Sequence, residues 1–248
     1  MTWLRLVRAE LRKLTTTKMP WAFLAVLVVI SATTATAVVL GTDMDGSKGF
    51  IATAEDQRSL VAFGANAMMI AGLFGAIAVA REYGHGTVVP TFLIAPRRHR
   101  AVLAQLTAVL LAGGLLGLVG EALTVAALAV SLPMTEYGFL VSAGAVTQLI
   151  AAAMFAGAAG GVLGAGVGAL VRNTGGAVTG AVLLLFIIPP ILVQLANETA
   201  SWLPSTLVNV VSGVGDEVGV PAALAVLAAW GLIPAVIGLV AVEIRDVV

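Results

Sequence analysis

Residues 81–100 read REYGHGTVVPTFLIAPRRHR. This stretch cannot cross a membrane. It carries Arg81, Glu82, Arg97, Arg98 and Arg100, and each charge at the bilayer centre costs about 3 kcal/mol or more. Two long apolar segments flank it, at about residues 60–80 and 101–131. Each is long enough for the roughly 20 residues that a helix needs to span the hydrocarbon core. The stretch is therefore a loop between two spans. Its middle, residues 88–95, is itself apolar, so charge fences a greasy centre that something must cover. Thr87 suits an N-cap, Pro90 a first helical turn and Pro96 a stop, which predicts about two turns of helix. Gly84 and Gly86 let the backbone turn sharply out of the preceding span. Phe92, Leu93 and Ile94 then either dock into a groove on a partner or lie on the bilayer surface.

Composition agrees with a membrane setting. Of 248 residues, 60% are hydrophobic and 10% charged, against roughly 45–50% and about 25% in soluble domains. The formal net charge is zero, which gives no bulk attraction to nucleic acid. The absence of cysteine excludes disulfides, thiol nucleophiles and thiolate metal sites. High Ala, Val and Gly with few Lys suits a bacterial source. The expected fold is all-α, one six-span domain over 1–248, preceded by an amphipathic helix.

That first helix covers residues 2–14, TWLRLVRAELRKL. Trp3, Leu4, Val7, Leu11 and Leu14 recur at helical spacing, while Arg5, Arg8, Glu10, Arg12 and Lys13 fill the polar face. A basic amphipathic helix of this kind lies in the headgroup layer, with its cations toward anionic lipid. It is too charged, and the apolar run behind it too long, for a cleavable signal peptide. The spans follow at about 19–40, 60–80, 101–131, 139–171, 176–196 and 221–242. Pro189-Pro190 is expected to break the last part of span 5, and Pro234 to kink span 6. Within residues 197–220 the moderately apolar run TLVNVVSGV is too short to span, and the segment reads as a re-entrant or interface-lying piece.

Six spans put both termini on one side. Eleven of the 13 Lys and Arg fall on that side: Arg5, Arg8, Arg12, Lys13, Lys18, Arg81, Arg97, Arg98, Arg100, Arg172 and Arg245. Only Lys48 and Arg58 fall opposite. The positive-inside rule makes both termini and the 81–100 loop cytoplasmic in a plasma membrane.

Few residues point to chemistry. Residues 43–46, DMDG, match the start of a calcium loop, but the twelfth position holds Ala54 rather than Glu, which leaves a solvated acidic loop. His85 and His99 are too far apart along the chain to imply a metal site, and no H-E-x-x-H occurs. Glu121 is the one acid well inside a span. It either meets a cationic substrate or a proton, or sits neutral near the outer end of a long span 3. Gly157 and Gly161, together with Gly160, Gly164 and Gly168, recur four apart in span 4, and Gly113 and Gly117 match them in span 3. Such faces bring helix backbones close, either within one chain or at a dimer seam.

This order of features resembles the permease subunit of ABC-2 type exporters. The residues carrying the resemblance are the basic start ELRKLTTTKMPW, then Glu82, Gly86, Thr87, Pro96, Arg97 and Arg98 in the loop, and WLPSTL between spans 5 and 6. The resemblance implies that the loop is a coupling helix, docking on a separate ATPase through Glu82, Gly86, Thr87, Phe92, Leu93 and Arg97. No G-x-x-x-x-G-K-[ST] occurs here, so ATP and Mg would be held by that partner, in two copies. A second permease half, identical or sister, would complete the exporter. The cargo expected for such apolar spans is a hydrophobic or amphipathic small molecule, such as an antibiotic, or a lipid. The rival readings are a secondary transporter, which predicts paired broken helices, and an intramembrane enzyme, which needs a convergent polar constellation.

Overall fold

A computed structural model describes residues 2–41, 51–64, 66–84, 86 and 98–244. Among them every regular element is helical. Helix α1 is Trp3–Thr15 and α2 is Met19–Gly41; α3, Ala54–Gly64, and α4, Ala67–Gly84, share one span. Helix α5 is Arg98–Ser131 and α6 is Ala143–Val171; α7, Thr174–Val182, is followed by a π-helical turn, Leu183–Ile187, and by α8, Ile188–Leu195. After a 3-10 turn, Asn197–Trp202, come α9, Pro204–Val211, and α10, Val220–Ile244. Six helical stretches are long and apolar enough to cross a membrane.

Helix α6 is the axis of the bundle, and its glycines explain why. A methyl at Gly164 would collide with the Gly72 carbonyl of α4, and one at Gly160 with the Met68 carbonyl. Gly168 faces Ala76 on the same helix, while Gly157 and Gly161 face Gly113 and Val109 of α5. Gly166 faces Pro234 of α10, which remains one helix through that proline. Three helices thus touch α6 backbone to backbone. Without a hydrophobic drive between helices in lipid, such close contact is the main source of cohesion. The glycine faces are spent inside this chain.

Outer helices are held differently. Helix α2 exposes most of its surface but buries a single stripe, Leu27, Ser31 and Val38. The Ser31 hydroxyl lies 3.2 Å from that of Thr124 on α5. Helix α1 seats Leu6 against Ala101 and Ala104 of α5, while Trp3 and Leu4 remain exposed.

The structure corrects the sequence reading of span 2. Glu55–Ser59 are helical rather than loop, and the span is two helices, not one apolar run over 60–80. Thr53 and Asp56 cap α3 reciprocally: the Asp56 amide donates to the Thr53 hydroxyl, and the Asp56 carboxylate accepts from the Thr53 amide, each at 3.1 Å. The polar side chains that argued for a loop are satisfied elsewhere. Gln57, wholly buried, donates to the carbonyls of Ile51 and Gly138 at 3.0 and 2.9 Å and accepts from the Leu140 amide at 2.8 Å. Gln57→Leu leaves three backbone groups without that partner. It is expected to cost about 2–3 kcal/mol, read as a lower melting temperature of the purified protein. Span 4 also starts later than 139, at Ala143, because the Ser142 side chain caps it.

Pro189-Pro190 does not break span 5. A proline ring clashes with the carbonyl four residues back and removes a donor. The chain absorbs this one turn earlier, by widening Leu183–Ile187 into a π turn, and helix resumes through both prolines to Leu195.

Candidate functional site

Two regions of the bundle carry the polar chemistry. One is the end at which α1, α4, α6 and α10 meet. Lys13 Nζ lies 2.8 Å from Glu10 Oε1 and 3.3 Å from Glu82 Oε1. Arg172 donates to the Ala241 carbonyl at 3.1 Å, and its guanidinium sits 5.3 Å from the centre of the Tyr83 ring. His99 and Glu243 approach to 3.7 Å. Glu82, expected at a partner contact, is thus held by α1 within this chain. Gly86 follows at a φ of 67°, a left-handed conformation that turns the chain out of α4. Thr87, Phe92, Leu93 and Arg97 lie outside the described residues, as do His85, residues 42–50 and Arg245.

Arg5, Arg8 and Arg12 of α1 are exposed, as its basic face requires. Glu10 is not: it is buried beneath Lys13. The signal was the i, i+3 spacing of Glu10 and Lys13, which the headgroup reading passed over. Burial pushes the Glu10 carboxyl above its ordinary range against the pull of Lys13, and the Glu82 charge adds to the push. For Lys13, burial works to lower the pKa, but Glu10 and Glu82 together hold it above its ordinary value. Folding therefore favours the protonated ammonium. Its contribution is complete below the ordinary value of 10.5 and is lost as pH rises through the higher folded-state value. The melting difference between the wild type and Lys13→Met is expected to be clear at pH 8 and to shrink above pH 10.5.

The other region is a partly open cavity of about 750 Å³. Five segments wall it. Helices α3 and α4 contribute Ala62 and Met68 on either side of their junction, with Asn66 between them. Asn66 has a φ of 42°, and its carbonyl accepts from the Met69 and Ile70 amides, so it starts α4 anew. Helix α6 contributes Leu149 and Ala153; span 5 contributes Leu185 and Phe186 from its widened turn and Pro189 and Gln194 from α8; α9 and its flanks contribute Leu203, Thr206, Asn209 and Ser212. Glu121 of α5 completes the wall.

The glycine seam places Glu121 here. Gly117, one turn earlier, presses on the Ala153 carbonyl, so the next turn of α5 must face Ala153 and Leu149. Glu121 is only 2% exposed, and its Oε1 has no hydrogen-bond partner. It is also the sole ionisable side chain among the residues lining the cavity. Helix α9 is fixed over the cavity by Arg58, whose Nε and Nη2 donate to the Ser212 carbonyl at 2.9 and 2.7 Å and whose Nη2 also donates to Gln148 Oε1 at 2.6 Å. Gln148 in turn donates to the Val211 carbonyl at 3.1 Å. From the far end, Trp230 of α10 donates to the Trp202 carbonyl at 3.1 Å. The cavity lies about 20 Å along α4 from Glu82, thirteen residues at a 1.5 Å rise.

Sequence reasoning found Glu121 by residue type and depth. It missed the cavity, because the walls come from five distant segments. Among the described residues no cluster of three or more His, Cys, Asp or Glu could hold a metal ion. A buried acid beside a half-open apolar cavity in a six-span helical bundle defines a class: a helical protein compatible with multi-pass membrane insertion. No protein-family model matches the chain, and no curated protein matches it.

Proposed function

We propose that the chain is the permease subunit of an ATP-driven ABC-2 type exporter in a bacterial plasma membrane, with both termini and the 81–100 loop cytoplasmic. The observation that carries this reading is the joint at Glu82. The loop leaves α4 there, and Lys13 ties the same point to α1, which packs on α5. A partner ATPase pushing on the loop would move α1, α4 and α5 together. That motion would reach the cavity at the far end of α4 and α5. The short helices between spans 5 and 6 agree with the re-entrant piece of such permeases, and a second copy or sister chain would complete the path.

The test is co-purification with a candidate ABC ATPase, with ATP hydrolysis and transport measured in proteoliposomes. Phe92→Asp combined with Leu93→Asp is expected to abolish both association and coupled transport. Assembly and coupling retained in that double variant would sink the docking claim.

A secondary transporter is the second reading. The new start of span 2 at Asn66 and the widened π turn of span 5 flank one cavity with one buried acid, and local departures from regular helix beside an intramembrane site are a feature of ion-coupled carriers. Uptake driven by an ion gradient, with no ATPase present, would favour it.

A further inference from the structure

We propose that the cavity beside Glu121 binds a hydrophobic organic monocation, with the Glu121 carboxylate as its counter-ion. The volume of about 750 Å³ falls in the range that takes a drug-sized molecule. The walls are mostly apolar: Ala153 and Leu149 on α6, Phe186 and Pro189 on span 5. Into them comes a single acid, nearly fully buried, with one oxygen unpartnered. A carboxylate oxygen kept from water without a partner is costly, and among the described residues none pairs with Oε1 to offset the cost. A cation seated in the cavity would.

The chemistry narrows the ligand. An anion would meet the carboxylate head-on. A neutral molecule could at most donate a hydrogen bond to Oε1 and would leave the carboxylate's charge unbalanced. A calcium or magnesium ion carries two charges and is commonly held by more than one carboxylate, and among the residues lining the cavity there is one carboxylate and no second acid. A large cation with spread charge and an apolar body satisfies both the acid and the walls. Asn66, Thr206 and Asn209 at the wall can take up polar groups at its rim. The inference gives the transport reading its substrate class. It is tested on this chain alone, without an ATPase, so its failure and that of the docking claim are separate results.

The full chain is reconstituted in nanodiscs and titrated with three probes: tetraphenylphosphonium, the equally shaped anion tetraphenylborate, and neutral triphenylphosphine oxide. Empty nanodiscs correct for partition into lipid. Saturable binding of tetraphenylphosphonium, one per chain, is expected, at least tenfold tighter than either other probe. Glu121→Gln is expected to weaken it at least tenfold. Ser205→Trp, which fills the cavity from an exposed position on α9, is expected to weaken it as well while leaving the carboxylate in place. Melting curves confirm that both variants fold. The proposal is overturned by any of three results: no saturable binding above empty nanodiscs, equal binding of the anion or the neutral probe, or folded Glu121→Gln that binds tetraphenylphosphonium within twofold of wild type.

Discussion

Gly164→Val is expected to abolish the folded protein. Any side chain at this position meets the backbone of α4, at Gly72 and at Ala76. Overpacking a core commonly costs about 1–3 kcal/mol when side chains can give way. Here the obstacle is main chain, which cannot rotate aside, so the cost should exceed that range and the protein should elute as aggregate on size-exclusion chromatography. Even Gly164→Ala should lower the melting temperature. Gly144→Val on the same helix is the control. Nothing lies within 4 Å of a Cβ added there, so only the mild penalty of a β-branched residue in a helix is expected. Equal behaviour of the two variants would refute the seam as the source of cohesion.

Arg58→Met is expected to have the next largest effect, concentrated on α9. It removes the donors to the Ser212 carbonyl and to Gln148. A hydrogen bond to a charged group contributes about 1.5–3 kcal/mol, and the loss leaves a helix C-terminus without its cap. Hydrogen exchange should accelerate selectively over residues 204–215, with protection of α6 unchanged. Arg58→Lys should rescue in part, since a point charge reaches one acceptor where the planar fork reaches two. Unchanged exchange over 204–215 would show that Trp230 and local packing suffice to hold α9.

These two residues show what could and could not be read from the chain. The glycine spacing was legible because close packing leaves a periodic mark on one helix. Which neighbour each glycine faces was not, since that depends on how α4, α5 and α10 are arranged around α6. Arg58 read as a stray outer cation in a polar loop. Its acceptor is the Ser212 carbonyl, 154 residues away, and a backbone acceptor has no signature in sequence. The break before α4 was hidden for a similar reason: residues 60–80 carry no charge, and a single polar residue, the left-handed Asn66, stands at the junction. The bounds of the apolar runs lie close to those of four of the six long helical stretches. They failed in span 2, where polar residues are helical because other segments satisfy them, and at the start of span 4.

The backbone contacts of α6 have a mechanical consequence. Side chains can adjust by changing rotamer, and a joint made of them can slide. A joint of glycine against carbonyl has no such freedom: it is either seated or open. Helices α4, α5, α6 and α10 therefore behave as one stiff block. Any rearrangement within the bundle then falls to the parts outside that block: α3, the widened turn of span 5, and α9 on its arginine latch. All three border the same cavity, so a small movement of any of them relative to the block changes its shape.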